Sequence, residues 1–131
     1  MKVAVITPDR LVHSAFIHAC LDAWHEEYGI TRISHAGRTA GDRFVYKWAR
    51  KVEIPQVQWK FFWREHQEED VYVRDLQMIR WDQPDYVLGF PAYPDTDDRV
   101  LSALQLARRY DFATKTFDET HVYDLSVLQK R

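Results

Sequence analysis

The sequence predicts a three-layer α/β sandwich, with one mainly parallel, five-stranded sheet covered by helices on both faces. Three observations lead there. Lys2 runs directly into Val3, Ala4, Val5 and Ile6, a continuous apolar stretch ended by Thr7-Pro8-Asp9; such a run reads as a strand buried on both faces and closed by a loop. Further short apolar runs alternate with stretches of helical periodicity. Most of the connections between them are short, which favours right-handed crossovers and parallel pairing.

Each element has its own signal. After the first strand, Ser14 can cap a helix in which Ile17, Leu21, Trp24 and Tyr28 recur at helical spacing, and Gly29 stops it. Thr31 to His35 reads as the second strand. The polar loop Ala36 to Gly41 then holds Gly37 and Gly41, two of the chain's four glycines, and Asp42 is the expected N-cap of a helix running to about Val52. Phe44, Val45, Trp48, Ala49 and Val52 are its apolar residues. Past Ile54-Pro55, Gln56 to Trp59 alternates as an edge strand does. Lys60 to Asp70 is a longer connection containing Phe61, Phe62, Trp63 and His66, and a helix follows from about Val71 to Asp82, closed by Pro84. Tyr86 to Phe90 is the fourth strand. Pro91-Ala92-Tyr93-Pro94-Asp95 is a turn stiffened by its prolines. Thr96 or Asp97 caps a last helix bearing Val100, Leu101, Leu104 and Ala107, and Ala113 to Phe117 is the fifth strand. Residues 2–117 form the core of a single domain; 118–131 are a C-terminal extension in which Val122 to Leu125 can add a short element.

The expected strand order is 3-2-1-4-5. That order reverses beside strand 1, and in open α/β sheets ligands bind where loops leave the carboxyl ends of the strands at such a point. Thr7 to His13, Ala36 to Gly41 and Pro91 to Thr96 converge there. The middle loop is the most suggestive: glycine lets a ligand approach the main chain, and the free N–H groups of a helix start attract anions. An ordinary strand-to-helix turn with an Asp cap would have the same outline.

Composition narrows the classes. With 131 residues, 46% of them hydrophobic and 15% aromatic, the chain can bury one compact core. Its formal charge of -2 gives no whole-molecule field for holding nucleic acid. A single cysteine, Cys20, excludes an internal disulfide and a cysteine-based zinc site, and beside Ile17, Leu21 and Trp24 it reads as a core thiol. The six histidines lack paired ligand spacing, so neither a metal nor another cofactor is expected. No apolar stretch is long enough for a signal peptide or a membrane span, and a cytoplasmic protein without membrane association is the expectation.

Several segments together resemble the YspA-like, cpYpsA-related branch of the SLOG superfamily of Rossmann-like proteins, which also holds DprA-type proteins and the LOG phosphoribohydrolases. Thr7-Pro8-Asp9-Arg10 keeps the Thr and Arg of that branch's Thr-Gly-Ser-Arg. His35-Ala36-Gly37-Arg38-Thr39-Ala40-Gly41-Asp42-Arg43 keeps the His, one Gly, the Asp and the final Arg of its His-Gly-Gly-Ala-Arg-Gly-Ala-Asp-Arg. Trp63 falls where the family has a Trp after strand 3. Val73-Arg74-Asp75-Leu76-Gln77-Met78 looks like its Ile-Arg-Asn-Gln-Arg-Met, and Phe90-Pro91-Ala92-Tyr93-Pro94-Asp95-Thr96-Asp97-Asp98 like its Phe-Pro-Gly-Gly-x-Gly-Thr-x-Asp. The resemblance covers Lys2 to Phe117 and implies nucleotide or ADP-ribose-like ligands. Its departures fall in the ligand loops. Pro8 replaces a Gly, Thr39 stands where Arg or Lys is usual, and Ala92, Tyr93 and Asp95 replace the glycines of the phosphate turn. The phosphoribohydrolase glutamate would fall on Arg99.

Arg10, Arg38 and Arg74 are the expected ligand contacts, because a guanidinium recognises phosphate or carboxylate bidentately. Thr7, Gly37, Thr39, Gly41, Asp42, Pro91, Thr96 and Asp98 complete the expected binding set. Asp42, Asp98 and His35 are the acid or base candidates for a hydrolase acting on an N-glycosidic or phosphate bond. Each has a structural alternative, as a cap, a first-turn acid or a backbone-satisfied core histidine. A third reading takes Lys47-Trp48-Ala49-Arg50-Lys51 and Trp59-Lys60-Phe61-Phe62-Trp63-Arg64 as a stacking platform for single-stranded nucleic acid, against which Trp48 and Trp63 also fit core positions. The aromatic residues Phe61, Phe62, Trp63, Tyr72 and Trp81 predict a homodimer or higher homo-oligomer through Lys60 to Asp82.

Overall fold

A computed structural model describes residues 1–8, 13–59, 68–91 and 99–117, with the backbone alone for 68–74 and 99. The elements run β1 (Lys2–Ile6), α1 (Ser14–Tyr28), β2 (Arg32–His35), α2 (Ala40–Lys51), β3 (Gln56–Gln58), α3 (Glu68–Asp82), β4 (Tyr86–Gly89), α4 (Arg99–Arg109) and β5 (Thr114–Thr116). The strands form one all-parallel sheet in the order β3-β2-β1-β4-β5. This is a Rossmann-like architecture, with its reversal of order beside β1 as the sequence predicts.

β1 is central because both of its faces are apolar. Val3 pairs with Ile33 of β2, and Val5 with Leu88 of β4. Side chains alternate across the sheet. Val3, Val5, Ile33, Leu88 and Phe90 pack with Ile17, Leu21 and Trp24 of α1 and with Val45, Trp48 and Ala49 of α2. On the opposite face Ala4, Ile6 and Val87 meet Met78 and Ile79 of α3 and Val100, Ala103, Leu104 and Ala107 of α4. Each fully buried aliphatic side chain here contributes about 1.5–3 kcal/mol relative to exposure. Cys20 lies within the first core and is itself buried.

The helices end where their sequences say they should. Gly29 stops α1 at φ +73°, where its N–H donates to the His25 carbonyl, as a left-handed C-terminal residue does. Trp48 binds the two helices of its layer, since its Nε1 donates to Asp22 Oδ1 at 2.7 Å. α4 lies directly on β4: a Cβ on Gly89 would stand 2.5 Å from Leu104 Cδ1 and 2.9 Å from Val100 Cγ1. One polar contact fastens the far layer. Asp82, at the end of α3, accepts from Arg32 Nη2 at 2.9 Å and from Ser34 Oγ at 2.8 Å. Nothing local in the sequence announces that pairing of α3 with β2.

Several boundaries differ from expectation. Ser14 is the first residue of α1 rather than its cap, and the N-cap His13 makes no side-chain capping bond. α2 begins two residues before Asp42, because Thr39 supplies the cap. α3 begins at Glu68 instead of Val71. β3 is indeed an edge strand, but Trp59 lies beyond it. The proposed caps Thr96 and Asp97 and the element at Val122 to Leu125 lie outside the described residues. Among the described residues no helix is long and apolar enough to cross a membrane.

Candidate functional site

The β2–α2 loop sits against the carboxyl end of β1, and a closed hydrogen-bonded unit holds it there. Thr7 Oγ1 donates to Asp42 Oδ1 at 2.7 Å and is also paired with Thr39 Oγ1. Because the Thr7 proton is committed to the carboxylate, Thr39 is the donor in that pair. The Thr39 oxygen in turn accepts the Asp42 N–H at 3.0 Å. Asp42 Oδ2 accepts the Arg38 N–H at 2.9 Å and the Thr39 N–H at 3.4 Å. Thr39 and Asp42 are thus the two members of a capping box, N-cap and N3. Thr7, Thr39 and Asp42 are 2%, 6% and 3% exposed. This corrects the sequence reading of Asp42 as the N-cap, and it occupies both oxygens of the carboxylate in building the loop.

The two glycines have separate reasons. A Cβ on Gly41 would stand 2.7 Å from Thr7 Cβ and 2.9 Å from its Cγ2, so a bare residue lets the first turn of α2 close on β1. That contact, more than access for a ligand, explains Gly41, which is buried. Gly37 is at φ +68°, where L side chains are strained, and a Cβ there would run into the Gln58 side chain. It is exposed and turns the loop over the edge strand.

The first turn of α2 keeps two amides outside the capping unit. The amides of Arg38, Thr39 and Asp42 are bonded within the capping unit, and Arg43 N–H donates to the Thr39 carbonyl. Among the described residues the amides of Ala40 and Gly41 have no partner, as expected for the first turn of a helix. The helix dipole places positive potential at the same point. Gly37, Arg38 and Ala40 are at least partly exposed around it.

His35, at the end of β2, is 1% exposed. Its Nε2 is 2.9 Å from Gln56 Oε1, and Gln56 Nε2 faces the Tyr46 carbonyl at 3.5 Å. The amide orientation assigns the proton of the neutral ring to Nε2. Nδ1 is then a buried acceptor with no partner among the described residues. Beneath α2 and against Tyr46, His35 occupies a core position rather than an open cleft.

The remaining candidates divide by position. Pro91 is buried two residues past the end of β4. Arg74 lies in α3, its side chain outside the described residues; Arg10, Thr96 and Asp98 lie outside them altogether. The structure therefore brings Thr7, Gly37, Arg38, Thr39, Gly41 and Asp42 together at one strand end. Sequence reasoning missed the link from Thr7 to Asp42, and also Gln56 and Tyr46 as the neighbours of His35. Trp48 is 1% exposed and cannot stack on a base, while Trp59 packs on the second core 6.1 Å from the ring of Trp81. Trp81 is 62% exposed; Phe61, Phe62 and Trp63 lie outside the described residues. No group of His, Cys, Asp and Glu suited to a metal ion occurs among the described residues.

The fold is that of a Rossmann-like α/β protein, with the capped β2–α2 loop at the point where the strand order reverses. No family model, curated protein or solved structure matches the chain.

Proposed function

We propose that the protein binds a nucleotide or a related phosphorylated nucleoside of the ADP-ribose type at the carboxyl ends of β1, β2 and β4. The observation that carries this reading is the pair of amides, Ala40 and Gly41, at the start of α2 that have no partner among the described residues. They stand beside the point where the strand order reverses, and a helix N-terminus in that position favours a phosphate group. The capping unit of Thr7, Thr39 and Asp42 is the frame that holds the loop in shape; Gly37, Arg38 and the two amides are the groups that meet the ligand. Arg10, Arg74, Thr96 and Asp98 are the side chains proposed to complete the site.

Binding has more support than hydrolysis. A general base needs a carboxylate or imidazole within reach of a substrate, whereas both oxygens of Asp42 accept internal hydrogen bonds and His35 is buried. Screening AMP, ADP, ADP-ribose and NAD by thermal shift and calorimetry tests the proposal, since a ligand that binds the native state raises its apparent stability. Arg10→Ala and Arg74→Ala should each weaken a hit, and unchanged affinity in both would remove this site. Release of free base from any of these compounds would instead favour the hydrolase.

A further inference from the structure

The outer faces of α1 and α2 carry opposite charge. On α2 the exposed residues are Arg43, Tyr46, Lys47, Arg50 and Lys51, which recur at three- and four-residue spacing and so form a single stripe. No acid interrupts it, because Asp42, the helix's one carboxylate, is buried. On α1 the exposed Asp22, Glu26 and Glu27 surround Ala19 and Ala23, and these residues line a shallow hollow. The two helices pack side by side on one face of the sheet. Among the described residues none of these exposed charges belongs to an ion pair.

Two partners have the chemistry to meet the cationic stripe, and the acidic one beside it decides between them. Packed helices lie about 8–10 Å apart, close to the Debye length of about 8 Å at physiological salt. A phosphodiester laid along α2 would thus use only the cationic row and gain nothing from the carboxylates of α1. A second copy of this chain would use both rows. A twofold axis in the interface, parallel to the helices and between them, sets α1 of each copy over α2 of the other, so that cations meet carboxylates at both contacts. Shape agrees with charge: Tyr46 stands 39% exposed between Arg43, Lys47 and Arg50, opposite a hollow floored by two alanines. Aromatic anchors in small pockets are the usual centres of interfaces.

We propose that the protein forms a homodimer through its α1–α2 face, with Tyr46 of each copy seated over Ala19 and Ala23 of the other. The arrangement is isologous, the commonest form of soluble assembly, and leaves the start of α2 at its margin.

Sedimentation velocity on the full chain at about 50 mM and about 500 mM salt tests it, with the dissociation constant expected to rise at least about tenfold as the charges are screened. Lys47→Glu with Arg50→Glu should give a folded monomer by circular dichroism, and so should Glu26→Lys with Glu27→Lys. Mixing the two variants should restore a dimer, because each then meets a complementary face at both contacts. If either reversal impairs folding, Lys47→Gln with Arg50→Gln should still raise the dissociation constant. A wild-type monomer at both salt concentrations would overturn the proposal, as would folded variants that fail to pair on mixing. A dimer that survives both reversals but dissociates in Trp81→Asp would move the interface to α3. A monomer that binds a labelled oligodeoxynucleotide, and loses it in Lys47→Glu with Arg50→Glu, would assign the cationic stripe to nucleic acid.

Discussion

Replacing Asp42 with alanine removes the acceptor of three hydrogen bonds at once: the Thr7 hydroxyl at 2.7 Å, the Arg38 N–H at 2.9 Å and the Thr39 N–H at 3.4 Å. Hydrogen bonds to a charged group contribute roughly 1.5–3 kcal/mol each, and a buried donor left alone costs about 1–3 kcal/mol. The 3.4 Å bond is at the long end, and Thr7 can turn its proton toward Thr39, so the contributions do not add in full. A loss of about 3–4 kcal/mol follows. Asp42→Asn should be milder, about 1–2 kcal/mol. Its carbonyl can take the Arg38 and Thr39 amides while its NH2 donates to Thr7, which then passes its own proton to Thr39; the charge is lost, and the Thr39 hydroxyl proton loses Thr7 as its acceptor. Urea denaturation of the wild type and the two variants gives these differences directly. If Asp42→Ala lies within about 0.5 kcal/mol of wild type, the carboxylate does not hold the loop and the account of the site's frame fails.

Other consequences follow from single contacts. Gly41→Ala forces a methyl to within 2.7 Å of Thr7 Cβ and should cost about 1–3 kcal/mol by urea denaturation, with any nucleotide affinity falling alongside as the loop shifts. Trp48→Phe keeps most of the buried ring volume but leaves Asp22 without its 2.7 Å donor, a loss of about 1–2 kcal/mol in the same assay. Arg32→Ala leaves the buried Asp82 carboxylate with Ser34 as its only side-chain donor among the described residues; with Arg32 itself 33% exposed, the expected loss is about 1–3 kcal/mol rather than the full value for a buried pair. The Glu27 carboxylate beside Tyr28, helped by some desolvation, holds that phenol above its ordinary value of 10.0. Its contribution is therefore present below that pH and is lost as pH rises through the higher folded value. Ultraviolet titration should show Tyr28 ionising late, and Glu27→Gln should bring it back toward the ordinary range.

The sheet was legible because its signals are local. Val3 to Ile6 must be buried on both faces whatever surrounds them, and the strand order follows from short crossovers between alternating elements. The site was legible only in outline. The His35 to Arg43 segment was read as a loop leading into a helix, which it is, but Asp42 at the cap position could not reveal that Thr39 does the capping, since both types cap helices and one turn separates them. Gly41 looked like ligand access and proved to be a packing contact, because a glycine's reason lies in what approaches it from elsewhere in the chain. The same limit hid Thr7, thirty-five residues from Asp42 in sequence and bonded to it in space. His35 and Trp48 were weighed between core and function, and their burial at 1% puts both in the core.

In the proposed complex the start of α2 receives the phosphate of a nucleotide. Backbone amide chemical shifts recorded while AMP is titrated into isotope-labelled protein test it most directly, with adenosine as the phosphate-free control. AMP should move the Gly37, Ala40 and Gly41 signals, and adenosine should move them far less. Shifts confined to other parts of the chain, or equal responses to the two compounds, would contradict it.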